Sequence, residues 1–146
     1  MKMVIQVVDD ATLLVNNRVI SKIGKGLVVY FCVEKNDNEE KLNYFAKKIS
    51  NLRIFPDENG KTNLSVKDIN GEVLLVSQFT LAGEFHHGNR PSFSEAQDPV
   101  VAELMYKKLA NIINTTYSIP VKLGVFGEDM IVSQTGHGPF TAFIEK

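Results

Sequence analysis

Apolar positions recur along this chain with two periods, and the switches between them predict its elements. Residues 1–8 read as a strand. Residues 12–15 and 18–20 then form a hairpin about Asn16-Asn17, because Asn tolerates the positive φ of a tight turn. Gly24-Lys25-Gly26 leads into a buried strand that ends at Val33. A first helix is expected from near Asp37, where Asp37 and Glu40 have the form of a capping box. Leu42, Phe45, Ala46, Ile49 and Leu52 follow at helical spacing, with Lys41, Lys47 and Lys48 mostly off that stripe. Residues 56–60 form a loop, and Asn70-Gly71 a turn. Asp98-Pro99 provides an N-cap and first-turn pair for a second helix. Val101, Leu104, Met105, Leu109, Ile112 and Ile113 are its expected buried face. After Pro120, short strands are predicted over residues 121–126, 130–133 and 140–144. Runs of strands with two separated helices predict an α+β fold with a mainly antiparallel sheet. Without a linker, repeat or low-complexity tract, residues 1–146 read as one domain.

One strand departs from its pattern in a way that points to chemistry. Glu72-Val73-Leu74-Leu75-Val76 is the short, β-branched apolar run of a buried strand. Its continuation, Ser77-Gln78-Phe79-Thr80-Leu81, introduces three hydrogen-bonding side chains. Burying these without partners costs about 1–3 kcal/mol per group, so they must satisfy one another or line a cavity. Strand alternation puts Gln78 and Thr80 on one face and Ser77 and Phe79 on the other, so a bend is needed to bring all four to one pocket. The residues alone leave open a purely structural use in sheet or turn hydrogen bonds.

Composition changes the picture little. At 44% hydrophobic and 23% charged, the chain has the make-up of an ordinary globular protein. No apolar run approaches the roughly 20 residues that cross a bilayer, and the N-terminus lacks a signal-peptide pattern, so a cytoplasmic location is expected. The single cysteine, Cys32, excludes an intrachain disulfide and reads as an inert core thiol. A formal net charge of −1 with only three arginines, Arg18, Arg53 and Arg90, does not suggest a nucleic-acid partner. Such contacts would have to come from a local lysine patch and be salt-sensitive. His86, His87 and His137 lack the ordered spacing and partners of a zinc site, and His86 and His87 are expected in an exposed loop. Phosphate-loop and dinucleotide fingerprints are missing.

Near the C-terminus, Gly136-His137-Gly138-Pro139 turns sharply into the strand-like Phe140-Thr141-Ala142-Phe143-Ile144. Ser77-Gln78-Phe79-Thr80 and Gly138-Pro139-Phe140-Thr141 together resemble the two signature motifs of the D-aminoacyl-tRNA deacylase family. The resemblance extends through Val4-Ile5-Gln6, Gly24-Lys25-Gly26-Leu27, Asn51-Leu52-Arg53-Ile54-Phe55, Arg90-Pro91-Ser92-Phe93 and Phe126-Gly127-Glu128-Asp129-Met130. It implies a barrel-like α+β core with two helices and a homodimer whose active site lies at the subunit interface. The implied reaction is hydrolysis of the ester of D-aminoacyl-tRNA, bound by its 3′ end, without metal, cofactor or membrane. Carried over by motif, Ser77, Gln78 and Thr80 are the catalytic residues. Phe79, Gly138, Pro139, Phe126 and Met130 bind substrate. The family uses a cis Gly-Pro peptide inserted into the partner's site, a geometry the letters Gly138-Pro139 fit but do not dictate. Phe126 and Met130 match positions around the aminoacyl-adenosine end, while the same chemistry serves plain core packing.

Two routes to hydrolysis follow from that resemblance. The Thr80 hydroxyl attacks with the help of a base, or the protein positions the ester and a water while the ribose 2′-hydroxyl assists. No histidine lies in either motif, which favours the second. Chirality demands more: a 10⁴-fold preference needs about 5.5 kcal/mol, beyond the ~1–3 kcal/mol of one methylene contact. Rigid exclusion of an L side chain by Gly138-Pro139 meets that demand and implies that glycyl-tRNA is cleaved too. Two departures from the family pattern bear on stringency. Val7 stands where an arginine usually follows Val-Ile-Gln, and Gly136 where the second motif usually opens with asparagine. They prompt a rival, an editing deacylase of relaxed specificity. A second rival is a non-catalytic nucleic-acid-binding protein of the same fold.

Overall fold

The computed structural model describes residues 1–146 throughout. Strand β1 (Lys2–Val15) is long enough to serve two partners on one edge: its first half pairs antiparallel with β3 (Gly26–Cys32), its second with β2 (Arg18–Ile23). Asn16 and Asn17 both have positive φ (49° and 61°) and make the expected tight turn. Helix α1 (Glu40–Asn51) and the small hairpin of β4 (Phe55–Pro56) and β5 (Thr62–Leu64) lead to β6 (Glu72–Ser77). Helix α2 (Pro99–Tyr117), β7 (Val121–Leu123) and β8 (Ile131–Glu145) complete the chain.

The main sheet runs β2-β1-β3-β6-β7, with β8 on the other edge of β1. It is an α+β arrangement as expected, with one refinement: β3–β6 and β6–β7 are parallel ladders among antiparallel ones. Gly26 permits the β3–β6 approach, since a Cβ there would sit 1.9 Å from the Glu72 carbonyl oxygen. The Ser21 hydroxyl donates to the Leu123 carbonyl (2.6 Å), linking β2 to β7 and drawing the sheet toward a barrel.

Two buried clusters hold this sheet. Ile5, Leu27, Phe31 and Leu75 meet Phe45, Ile49, Met105 and Leu109 of the helices. On the opposite face, Val8, Leu13, Ile23, Val28 and Leu74 fill the curl of the sheet. Val7 belongs to the first cluster and Val8 to the second, so β1 crosses from one core to the other between them.

Three sequence expectations are corrected. Helix α1 starts at Glu40 and no side chain caps it. Asp37 is spent elsewhere, accepting from the Met1 ammonium (2.5 Å), Lys41 Nζ (2.6 Å) and Glu34 N (2.7 Å). Burial opposes its charge, but the hydrogen bonds from Lys41 and the ammonium prevail and hold its pKa below the ordinary carboxylate value. The Asp98-Pro99 cap of α2 forms as read. Its buried face, however, is Met105, Tyr106, Leu109, Ala110 and Ile113, while Val101 and Leu104 are exposed. Finally, the strands expected at 130–133 and 140–144 are one continuous β8, because β1 pairs with both. No helix is long and apolar enough to cross a membrane.

Candidate functional site

The apolar run of β6 ends at Ser77 beside the end of β3, and Gln78 N donates to the Phe31 carbonyl (2.8 Å). A 3-10 turn, Phe79–Ala82, follows immediately and supplies the bend that strand alternation required. Across it the Gln78 amide donates to the Thr80 hydroxyl (2.5 Å), so the two polar side chains satisfy each other. The N–H groups of Phe79 and Thr80 open the turn and have no carbonyl ahead of them within it.

Ser77, Gln78 and Phe79 separate two adjoining cavities. One, of about 300 Å³, is mainly apolar and includes Phe31, Cys32, Ala102, Tyr106 and Phe126 in its wall. The other, of about 390 Å³, is more polar and is lined by Tyr30, Glu128, Asp129 and Met130. Phe126 and Met130 thus serve both readings of their position: each faces a cavity and each packs against a core cluster. Thr80 lines neither cavity and borders them through Gln78.

Two further residues of the wall were not assigned to a site by the sequence reading. The Tyr106 hydroxyl donates to the Leu75 carbonyl (2.6 Å) and accepts from Gly124 N (3.1 Å), tying β6 to the segment that carries Phe126. Burial drives its pKa far up, so the group stays neutral. The available signal was a tyrosine beside the apolar stripe of α2, whose hydroxyl needs a partner once buried. Cys32 forms part of the cavity wall, and burial, assisted by the charge of Glu34, pushes its thiol up to about 11. A thiol held protonated is a poor nucleophile, in keeping with the inert role expected.

Gly138 and Pro139 lie elsewhere. The β1–β8 register passes from Gln6↔Thr141 to Val8↔Gly136, so four residues of β8 (137–140) stand opposite Val7 alone. This excursion carries a cis Gly138-Pro139 peptide, with Gly138 at φ 111°, a region closed to most side chains. Both residues are exposed and neither cavity includes them. Its base is stapled by Gln6, whose amide donates to Thr141 Oγ1 (3.3 Å) and accepts from Gln134 Nε2 (2.7 Å). His137 Nδ1 lies 3.0 Å from Asp9 Oδ2. Val7 points into the core and offers the excursion nothing. Gly136 has open space where a Cβ would be, so the fold does not impose glycine there.

A model of the D-Tyr-tRNA(Tyr) deacylase family matches residues 4–145. The D-aminoacyl-tRNA deacylase of Thermosipho africanus is 47% identical, covering 100% of this chain and 97% of its own length. That of Limosilactobacillus reuteri is 43% identical, with 100% of both chains covered. Among solved structures, a c-Myc DNA Unwinding Element Binding Protein superposes with a TM-score of 0.94 at 38% identity, over 100% of this chain and 99% of that one. A probable eukaryotic D-amino acid tRNA deacylase shares the fold at 18% identity, with a TM-score of 0.86 over 98% and 97% of the two chains.

Proposed function

Because the chain belongs to the D-Tyr-tRNA(Tyr) deacylase family, we propose that it hydrolyses the ester joining a D-amino acid to the terminal ribose of tRNA. The observation that carries the reading is the tip of β6. There, Ser77, Gln78 and Phe79 part an apolar from a polar cavity, and the N–H groups of Phe79 and Thr80 open the next turn with no partner inside it.

The chemistry follows from what surrounds Thr80. Its hydroxyl accepts from Gln78, and no histidine or carboxylate is bonded to it to act as base. That arrangement favours water as the attacking group, with the ribose 2′-hydroxyl assisting. The N–H groups of Phe79 and Thr80 stabilise the oxyanion, and each such donor is worth ~10²–10³ in rate. Gln78 and Thr80 hold the 3′ end, while Phe126 and Met130 wall its adenosine.

Selectivity belongs to Gly138-Pro139, and a single chain keeps that segment out of its own cavities. A second copy must therefore bring its excursion to this site, making the working unit a homodimer. A rigid peptide there excludes an L side chain and has nothing to exclude in glycine, so glycyl-tRNA is a substrate as well. The buried Val7 favours a second reading of the same site, a deacylase of relaxed stereochemistry, since β1 contributes no cation to the excursion.

Hydrolysis of D-, L- and glycyl-tRNA decides among these readings. The clamp requires D and glycyl esters to be cleaved and L esters spared. Equal cleavage of D and L points to the relaxed enzyme, and a monomeric mass in solution overturns the shared site. Thr80→Ala should lower kcat by about 10- to 100-fold without abolishing turnover; complete loss would instead support attack by the hydroxyl itself.

A further inference from the structure

An aromatic ladder leads from the cavity wall out onto the neighbouring loop. The rings of Phe79 and Phe93 meet edge to face with centroids 5.2 Å apart, and Phe93 and Phe85 likewise at 6.3 Å. Phe79 and Phe85 are 58% and 62% exposed, so both ends of the ladder face solvent while Phe93 is half-buried between them. Leaving two phenylalanines in water forgoes hydrophobic stabilisation.

The ladder is also built. Glu84 and Ser92 exchange two backbone hydrogen bonds (2.8 and 3.1 Å) that close the loop, and the Glu84 carboxylate accepts from His86 N (2.6 Å). At Gly83 an added Cβ would stand 2.6 Å from the Phe85 ring and 2.9 Å from that of Phe93. The two rings therefore rest directly on the chain at Gly83, where any side chain would have to displace them.

We propose that this ladder is a stacking platform for the unpaired nucleotides next to the esterified terminal one. The proposal rests on the tRNA-ester reading above and carries it outward from the cavities. Continuity argues for this occupant: Phe79 belongs to both cavity walls and to the ladder, so a strand leaving the cavities meets the rings first. Charge on this stretch is balanced rather than basic, exposed Arg90 standing between exposed Glu84 and Glu95, so the affinity has to come from the rings. A chain with a formal net charge of −1 cannot rely on a broad basic face, and stacking gains affinity without one.

Two substrates test it: a D-aminoacyl-tRNA, and the same D-amino acid esterified to adenosine alone. Phe85→Ala should raise the ratio of KM for the tRNA to KM for the adenosine ester by about tenfold. Phe85→Trp should restore the ratio, and in a chain that otherwise lacks tryptophan its fluorescence should be quenched by a short single-stranded RNA. An unchanged KM ratio overturns the platform, as does a Phe85→Ala protein whose solution mass has fallen, because the ring would then serve a subunit contact. If the unaltered chain cleaves neither substrate, the tRNA-ester reading fails, while quenching of Phe85→Trp by RNA still supports the platform.

Discussion

The tip of β6 and the excursion of β8 both break the regularity of their strands, yet they are held in opposite ways. The β6 tip is anchored by backbone and core: Gln78 N to the Phe31 carbonyl, Leu75 O to the Tyr106 hydroxyl, with buried side chains on both faces. The β8 excursion stands in solvent on side-chain bonds through Gln6 and an exposed His137–Asp9 pair. On the proposed reading, with turnover at the β6 tip and selectivity in the excursion, the difference makes the two functions mechanically separable. Damage to the β6 tip disturbs the fold, whereas the excursion can loosen while the rest stands.

The largest expected effect lies on the β6 side. Tyr106→Ala removes a buried ring and the hydroxyl that bridges Leu75 and Gly124, and should cost about 3–5 kcal/mol in urea unfolding. Hydrolysis should fall with it, because the wall carrying Phe126 is no longer tied to β6. A stable Tyr106→Ala protein with unaltered rates would erase the contrast. Gln6→Leu should be milder in stability, about 1 kcal/mol or less, since its hydrogen bonds are partly exposed. Its signature is kinetic: L-aminoacyl-tRNA hydrolysis rises relative to D, with kcat for D retained. A parallel fall of both rates would place Gln6 with the turnover machinery instead.

The smallest effect on hydrolysis is expected from a control, Asp37, which lines neither cavity and bonds to neither the β6 tip nor the excursion. Asp37 is held below its ordinary pKa, so its stabilisation is complete above the unfolded carboxylate value, about pH 4. That contribution is lost as pH falls through the folded value. Thermal melts across this window should show a shallower acid decline for Asp37→Asn, with the L-to-D ratio at neutral pH unmoved.

Much of the fold was legible because local patterns agreed with it. The apolar run before Ser77, the Asn16-Asn17 turn and the Asp98-Pro99 cap each have a mechanism confined to a few residues. The misreadings arose where distant chain decided. Asp37 looked like a cap but meets the ammonium of Met1. The stripe of α2 rotates because Tyr106 reaches the Leu75 carbonyl, leaving Leu104 64% exposed. Parallel β3–β6 pairing leaves no trace in a run that reads as buried on both faces either way. The polar end of β6 announced a site through its cost of burial. Gln6 gave no such warning, because a glutamine on a half-exposed strand face is unremarkable until Gln134 and Thr141 are brought to it.

The pairing of β1 with β8, from Lys2↔Glu145 to Leu14↔Ile131, also fixes an order of assembly during synthesis. On the ribosome the β6 tip emerges well before β8, so an edge of β1 waits for the last strand to arrive. Such distant pairing slows folding, and an unfilled edge invites strands from other nascent chains. A chain cut short before Ile131 should accordingly aggregate rather than survive as an indiscriminate hydrolase.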